Sequence, residues 1–147
     1  MRKKIETLLY EHWLNPPDLN IERSTELFLC GLIALRTPLK WQRLFDGSIR
    51  WSDWKDHTIY PKKRRNHHYK SLSPVNIDQD INNALKLLFQ QRKGQPRLKG
   101  RGLKGEPIIS TPRRTLETCM KQLFKAKGIN LTGPSLKTLR DEATPPV

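Results

Sequence analysis

The chain has 147 residues, 28 of them Lys or Arg and 14 Asp or Glu, for a formal charge of +14. Its apolar content of 35% lies below the ~45–50% typical of globular chains, yet it is enough for one modest core in a single domain. This composition excludes collagen-like, mucin-like and disulfide-rich secreted classes, and the periodic clustering of apolar residues argues against a wholly disordered chain.

No segment reaches the ~18 consecutive apolar residues of a membrane span; the longest apolar block, Leu27–Leu35, is followed by Arg36. Met1-Arg2-Lys3-Lys4 begins like a signal peptide, but Glu6, Glu11 and Asp18 interrupt the apolar stretch that must follow. The two cysteines, Cys30 and Cys119, both fall inside apolar helical patterns and read as buried free thiols. These features predict a cytoplasmic protein with no membrane partner and no cofactor.

In chain order, Lys4–Trp13 reads as an amphipathic helix with Ile5, Leu8, Leu9 and Trp13 on one face. Asn15-Pro16-Pro17-Asp18 stops it, because proline lacks the backbone donor and holds its predecessor out of the α region. Asn20 can cap a second helix to about Leu35, apolar enough from Leu27 to form the centre of the core. From Lys40 to Trp54 the signals mix, with Asp46-Gly47-Ser48 a turn. His57-Thr58-Ile59-Tyr60 then reads as a strand whose partner is Tyr69-Lys70-Ser71-Leu72, with Pro61-Lys62-Lys63-Arg64-Arg65-Asn66 as a basic hairpin tip. Val75–Lys93 reads as the clearest helix, through Ile77, Ile81, Ala84, Leu85, Leu88 and Phe89, with Gly94 just beyond its end. Residues 94–106 carry four glycines and no apolar period, and so predict a mobile basic loop. A further helix begins with Thr111 as cap and Pro112 in its first turn, runs through Leu116, Met120, Leu123 and Phe124, and ends at Gly128. A last short helix is expected from Pro134, containing Leu136, Leu139 and Arg140. No internal repeat is visible.

The charge is unevenly placed. Residues 1–54 hold 8 basic and 7 acidic side chains, whereas residues 55–147 hold 20 basic and 7 acidic, a net of +13. A surplus confined to one part of the chain points to a polyanionic partner. Nucleic acid leads, because each phosphate neutralised releases a condensed counterion. The ordinary alternatives are a soluble basic surface or a ribosome-associated protein. His57, His67 and His68 lack the Cys, Asp or Glu neighbours that would complete a metal site, so they read as solvated histidines. Trp41, Trp51 and Trp54 read as packing residues rather than base-stacking platforms.

Taken together, these pieces resemble the catalytic domain of the tyrosine recombinases, or phage integrases, over about residues 24–143. Thr37-Pro38-Leu39-Lys40, then Leu44 and Ile49-Arg50-Trp51-Ser52-Asp53, is similar to the family's first box, a Thr-Gly-Leu-Arg turn before a Leu-Arg-Trp-x-Asp segment. The basic hairpin leading into Leu72-Ser73-Pro74 and a long helix resembles the lysine-bearing hairpin. Leu136-Lys137-Thr138-Leu139-Arg140 resembles the second box, His-x-Leu-Arg. The resemblance implies an α+β fold, mostly helical, of the integrase catalytic-domain type with a small antiparallel sheet or hairpin. It also implies a bacterial or phage-encoded element.

The departures bear on chemistry. Lys40 stands where the family has an arginine, Arg43 where it has a glutamate, and Lys137 where it has a histidine; Arg140 matches. A lysine keeps the charge but loses the fork that grips two phosphate oxygens. The tyrosines are Tyr10, Tyr60 and Tyr69, and none follows Arg140, where the resemblance places the nucleophile. The expectation is therefore a non-cleaving, non-enzymatic DNA-binding protein derived from a recombinase. Its duplex contacts would come from Lys40, Arg43, Lys62, Lys63, Arg64, Arg65, Arg97, Lys99, Arg101, Lys137 and Arg140. Other readings stay open: a regulatory or decoy partner docking on an intact recombinase or on another copy of itself, an RNA-binding basic protein, and residual strand cleavage through Tyr60, Tyr69 or a partner's tyrosine.

Overall fold

The computed structural model describes residues 2–14, 21–39, 41–45, 49–61, 74–93 and 105–129. Within them the chain forms four helices and one small sheet: α1 (Arg2–Leu14), α2 (Ile21–Arg36), β1 (Trp54–Lys55), β2 (Thr58–Ile59), β3 (Val75–Asn76), α3 (Gln79–Lys93) and α4 (Arg113–Ala126). Two 3-10 turns, Trp41–Leu44 and Trp51–Asp53, lie between α2 and β1. This is a mostly helical α+β architecture.

Helix α2 is the axis of the core, with every residue from 24 to 35 buried. From Leu27 to Leu35 the sequence requires this: a stretch apolar on all sides has no face to offer water. Helix α1 lies against it at Gly31, where an added Cβ would stand 2.7 and 2.9 Å from the methyl carbons of buried Leu9. Trp13 stacks on Phe28 at 4.2 Å, and Tyr10 meets the same ring edge-on at 4.9 Å. Helix α3 contributes Ile81, Ala84, Leu85 and Leu88, and α4 contributes Leu116, Met120 and Phe124, one residue per turn.

The ends of α3 and α4 follow from single residues. Asp78 accepts the backbone N–H of Ile81 at 2.9 Å, and its carbonyl accepts that of Asn82 at 3.0 Å, so Asp78 is the N-cap of α3. Helix α4 closes at Gly128 (φ 79°), where the N–H groups of Gly128 and Ile129 bond the carbonyls of Lys125 and Phe124 at 3.0 and 2.9 Å. This is a Schellman motif with Ile129 and Phe124 as its apolar pair, and both are buried.

A buried charge network joins α2, α3 and the segment before α4. Arg92, 3% exposed, donates to Glu26, which is 1% exposed, and to the carbonyl of Ile108. It also reaches Ser110 at 2.8 Å and Glu22 at 3.4 Å, while the N–H of Thr111 and the hydroxyl of Ser110 each donate to Glu26 at 3.0 Å. Burial of such a pair is sustained only because its spare donors and acceptors are filled in this way.

A second cluster ties α1 to the start of α3. Arg36 donates to Glu6 at 3.1 Å, Asp78 at 3.0 Å and Asp80 at 2.9 Å, and Tyr10 donates its hydroxyl proton to Asp80 at 2.6 Å. The bonds from Tyr10 and then Arg36 hold the Asp80 carboxyl below its ordinary value, while burial, and then the bond to Asp80, pushes the Tyr10 phenol up.

The strands differ from expectation. The sheet has the order β1-β2-β3, antiparallel throughout, with Trp54 opposite Ile59 and Ile59 opposite Val75. The partner described for Thr58–Ile59 on the downstream side is thus Val75–Asn76; Tyr69–Leu72 lies outside the described residues. Helix α3 accordingly starts at Gln79 rather than Val75, since Asp78 caps it and residues 75–76 give their backbone to the sheet. Of the region expected to be a basic loop, 94–104 lies outside the described residues, as do Asn20, Gly94 and the short helix expected from Pro134.

Candidate nucleic-acid interface

The 3-10 turn Trp51–Asp53 is held from several directions. Trp51 is 3% exposed and meets Phe89 of α3 edge-on at 5.4 Å and Trp54 at 6.0 Å. Trp54 in turn donates its indole N–H to Asn82 of α3 at 2.9 Å. Inside the turn, the N–H of Arg50 bonds the Asp53 carboxylate at 2.8 Å and the N–H of Asp53 bonds the carbonyl of Arg50 at 2.9 Å. Asp53 is 1% exposed, so its charge serves the turn rather than the surface.

This turn is also where two basic tracts of the sequence join the described body. Residues 62–73 hold five basic side chains and no acidic one, and residues 94–104 hold four and none. The first tract leaves after Tyr60 and Pro61 and returns at Pro74. Tyr60 donates its N–H to the carbonyl of Asp53 at 2.8 Å, and Ile59 lies opposite Val75. The second returns at Gly105. There the carbonyl of Glu106 accepts the N–H of Trp51 at 3.0 Å, Pro107 bridges Arg50, and Ile108 bonds the carbonyl of Ile49 at 3.4 Å. One root of each tract is therefore bonded to this turn, at residues two apart, while the second tract leaves from Lys93 at the end of α3. Arg92 reinforces the second root from the other side, through Ile108 and Ser110.

Of the side chains expected to touch DNA, only Arg43 lies within the described residues. It sits on the turn Trp41–Leu44, is 9% exposed and is already engaged within the chain. Lys40, Lys62, Lys63, Arg64, Arg65, Arg97, Lys99, Arg101, Lys137 and Arg140 lie outside the described residues. Sequence reasoning assigned no role to Arg50, which was quoted only inside a motif. The signal present was its place between buried Ile49 and buried Trp51, which puts a cation on the outer side of an inward-packing segment.

Both cysteines are free; Cys30 is buried as expected, whereas Cys119 is only half-buried, and Trp51 and Trp54, buried and half-buried, match their reading as packing residues. Among the described residues, no group of three His, Cys, Asp or Glu is placed to hold a metal ion, and no helix is long and apolar enough to cross a membrane. A groove of about 300 Å³ between α1, α2 and α4 is lined by Leu27, Cys119, Leu123 and Ala126 on its apolar side and by His12, Arg23, Ser24 and Gln122 on its polar side. No protein-family model, characterised protein or solved structure matches the chain.

Proposed function

We propose that this chain binds duplex DNA through its phosphates, as a tyrosine-recombinase-like domain of the integrase fold type that does not cut the strand. The observation that carries the reading is that one root of each of the two acid-free basic tracts meets the turn Trp51–Asp53. Two tracts anchored side by side add their fields over one region, which a duplex can span and a small anion cannot. The family part of the reading is supported by the order of segments along the chain, from Thr37-Pro38-Leu39-Lys40 through Ile49–Asp53, the basic tract and helix α3. Lys40 and Lys137, in place of the family's arginine and histidine, support holding over cutting.

Phosphate contacts would position the domain without reading sequence. With five or six phosphates neutralised, log affinity falls with log salt at a slope near −5. Fluorescence anisotropy with a labelled duplex across a salt series measures this. A suicide duplex, which traps any covalent tyrosine adduct, is expected to yield none. Failure to bind the duplex at low salt, or an affinity indifferent to salt, refutes the proposal. A structured RNA that outcompetes the duplex at equal salt would reassign the ligand.

A further inference from the structure

Five arginines among the described residues are buried or half-buried: Arg23, Arg36, Arg43, Arg50 and Arg92. Four have partners within the chain, although the Nε of Arg23, like that of Arg50, is buried without an acceptor. Arg36 is surrounded by Glu6, Asp78 and Asp80, Arg92 by Glu26, Glu22, Ser110 and Ile108, and Arg23 and Arg43 also have partners. Arg50 is the exception. Among the described residues no ion pair or hydrogen bond of its guanidinium is seen, and its Nε is buried with no acceptor there. The carboxylate three residues away, on Asp53, is taken by the backbone N–H of Arg50.

A desolvated guanidinium donor without an acceptor is unfavourable, and a charged acceptor supplied from outside removes that penalty. Arg50 stands where one root of each basic tract meets the turn, with Pro107 bridged to its backbone and Tyr60 bonded to Asp53 three residues on. Resting on the duplex reading above, we propose that Arg50 is a phosphate ligand of the bound DNA. Turning about its outer side-chain bonds brings the planar fork onto two non-bridging oxygens of one phosphate, a geometry lysine cannot reproduce. The rigid turn beneath makes this contact the fixed point of the interface, because its backbone is pinned to α3 through Trp51 and Trp54.

The test compares the full chain with Arg50→Ala, Arg50→Lys and, as a control for the loss of one charge, Lys3→Ala on exposed α1. Duplex anisotropy across a salt series gives affinity and slope, and thermal unfolding checks the fold. Arg50→Ala should weaken binding roughly tenfold or more and flatten the slope by about 0.9, with no loss of melting temperature because no side-chain bond among the described residues is removed. Arg50→Lys should keep the slope and lose part of the affinity. If the parent chain binds the duplex steeply and Arg50→Ala binds as Lys3→Ala does, the Arg50 assignment alone is wrong. If the parent chain does not bind the duplex, the DNA reading itself falls and this assignment with it.

Discussion

Replacing Glu26 by Gln keeps shape and most of the hydrogen-bonding surface but removes the one charge buried directly against Arg92. Glu26 is 1% exposed and accepts from Arg92, Ser110 and the N–H of Thr111. Arg92, at 3% exposure, then keeps the more distant carboxylate of Glu22 at 3.4 Å. Breaking one side of a buried pair costs about 3–5 kcal/mol, and partial compensation by Glu22 places Glu26→Gln near the lower bound. For a chain of this size that is a fall in melting temperature of roughly 10 °C. Arg92→Met should cost a similar amount, since it frees Glu26 and strips the carbonyl of Ile108 of its donor. The double variant should cost clearly less than the sum, giving a coupling of about 1–3 kcal/mol. Urea unfolding of the four proteins supplies the cycle. Singles that cost under about 1 kcal/mol, or strictly additive effects, would refute the buried pair.

The cluster around Arg36 makes stability depend on pH at both extremes. Asp80 titrates in the fold below its ordinary value of 3.8, so its contribution is complete above that value and disappears as pH falls through the lowered one. Tyr10 titrates above its ordinary 10.0, so its contribution is complete below pH 10 and is lost as pH rises further. Tyr10→Phe should therefore flatten the alkaline limb of a stability-against-pH curve and shrink the acid one, and an unchanged curve would contradict the Tyr10–Asp80 bond. Burial also pushes the Cys30 thiol well above its ordinary 9.0. A disulfide reagent at pH 8 should thus modify half-buried Cys119 first and reach Cys30 only on unfolding. Equal rates would place Cys30 at the surface.

The helices were legible because apolar spacing is a local signal: Ile81, Leu85 and Leu88 repeat at the helical period and all are buried. The start of α3 was misplaced because Val75 and Ile77 also fit that period, although the decisive residue, Asp78 as cap, was in plain view. Strands of two residues carry no period at all. Trp54–Lys55 and Val75–Asn76 become strands only because Thr58–Ile59 lies between them. Glu26 was visible as a charge entering an apolar helix, but its partner stands 66 residues away and no spacing rule connects them. The position of Arg50 depends on hydrogen bonds that bring Tyr60 and Glu106 to one turn, a long-range fact that composition does not contain.

The central claim is that the tracts at 62–73 and 94–104 act together on one duplex. Its most direct test is the salt dependence of duplex affinity in three proteins: the parent chain, a variant with Lys62, Lys63, Arg64 and Arg65 replaced by Gln, and one with Arg97, Lys99 and Arg101 replaced by Gln. The parent slope should lie near −5, and each variant should flatten it by about 2–3, since each phosphate contact contributes roughly 0.9. A slope that stays the same in either variant would contradict joint action at one interface.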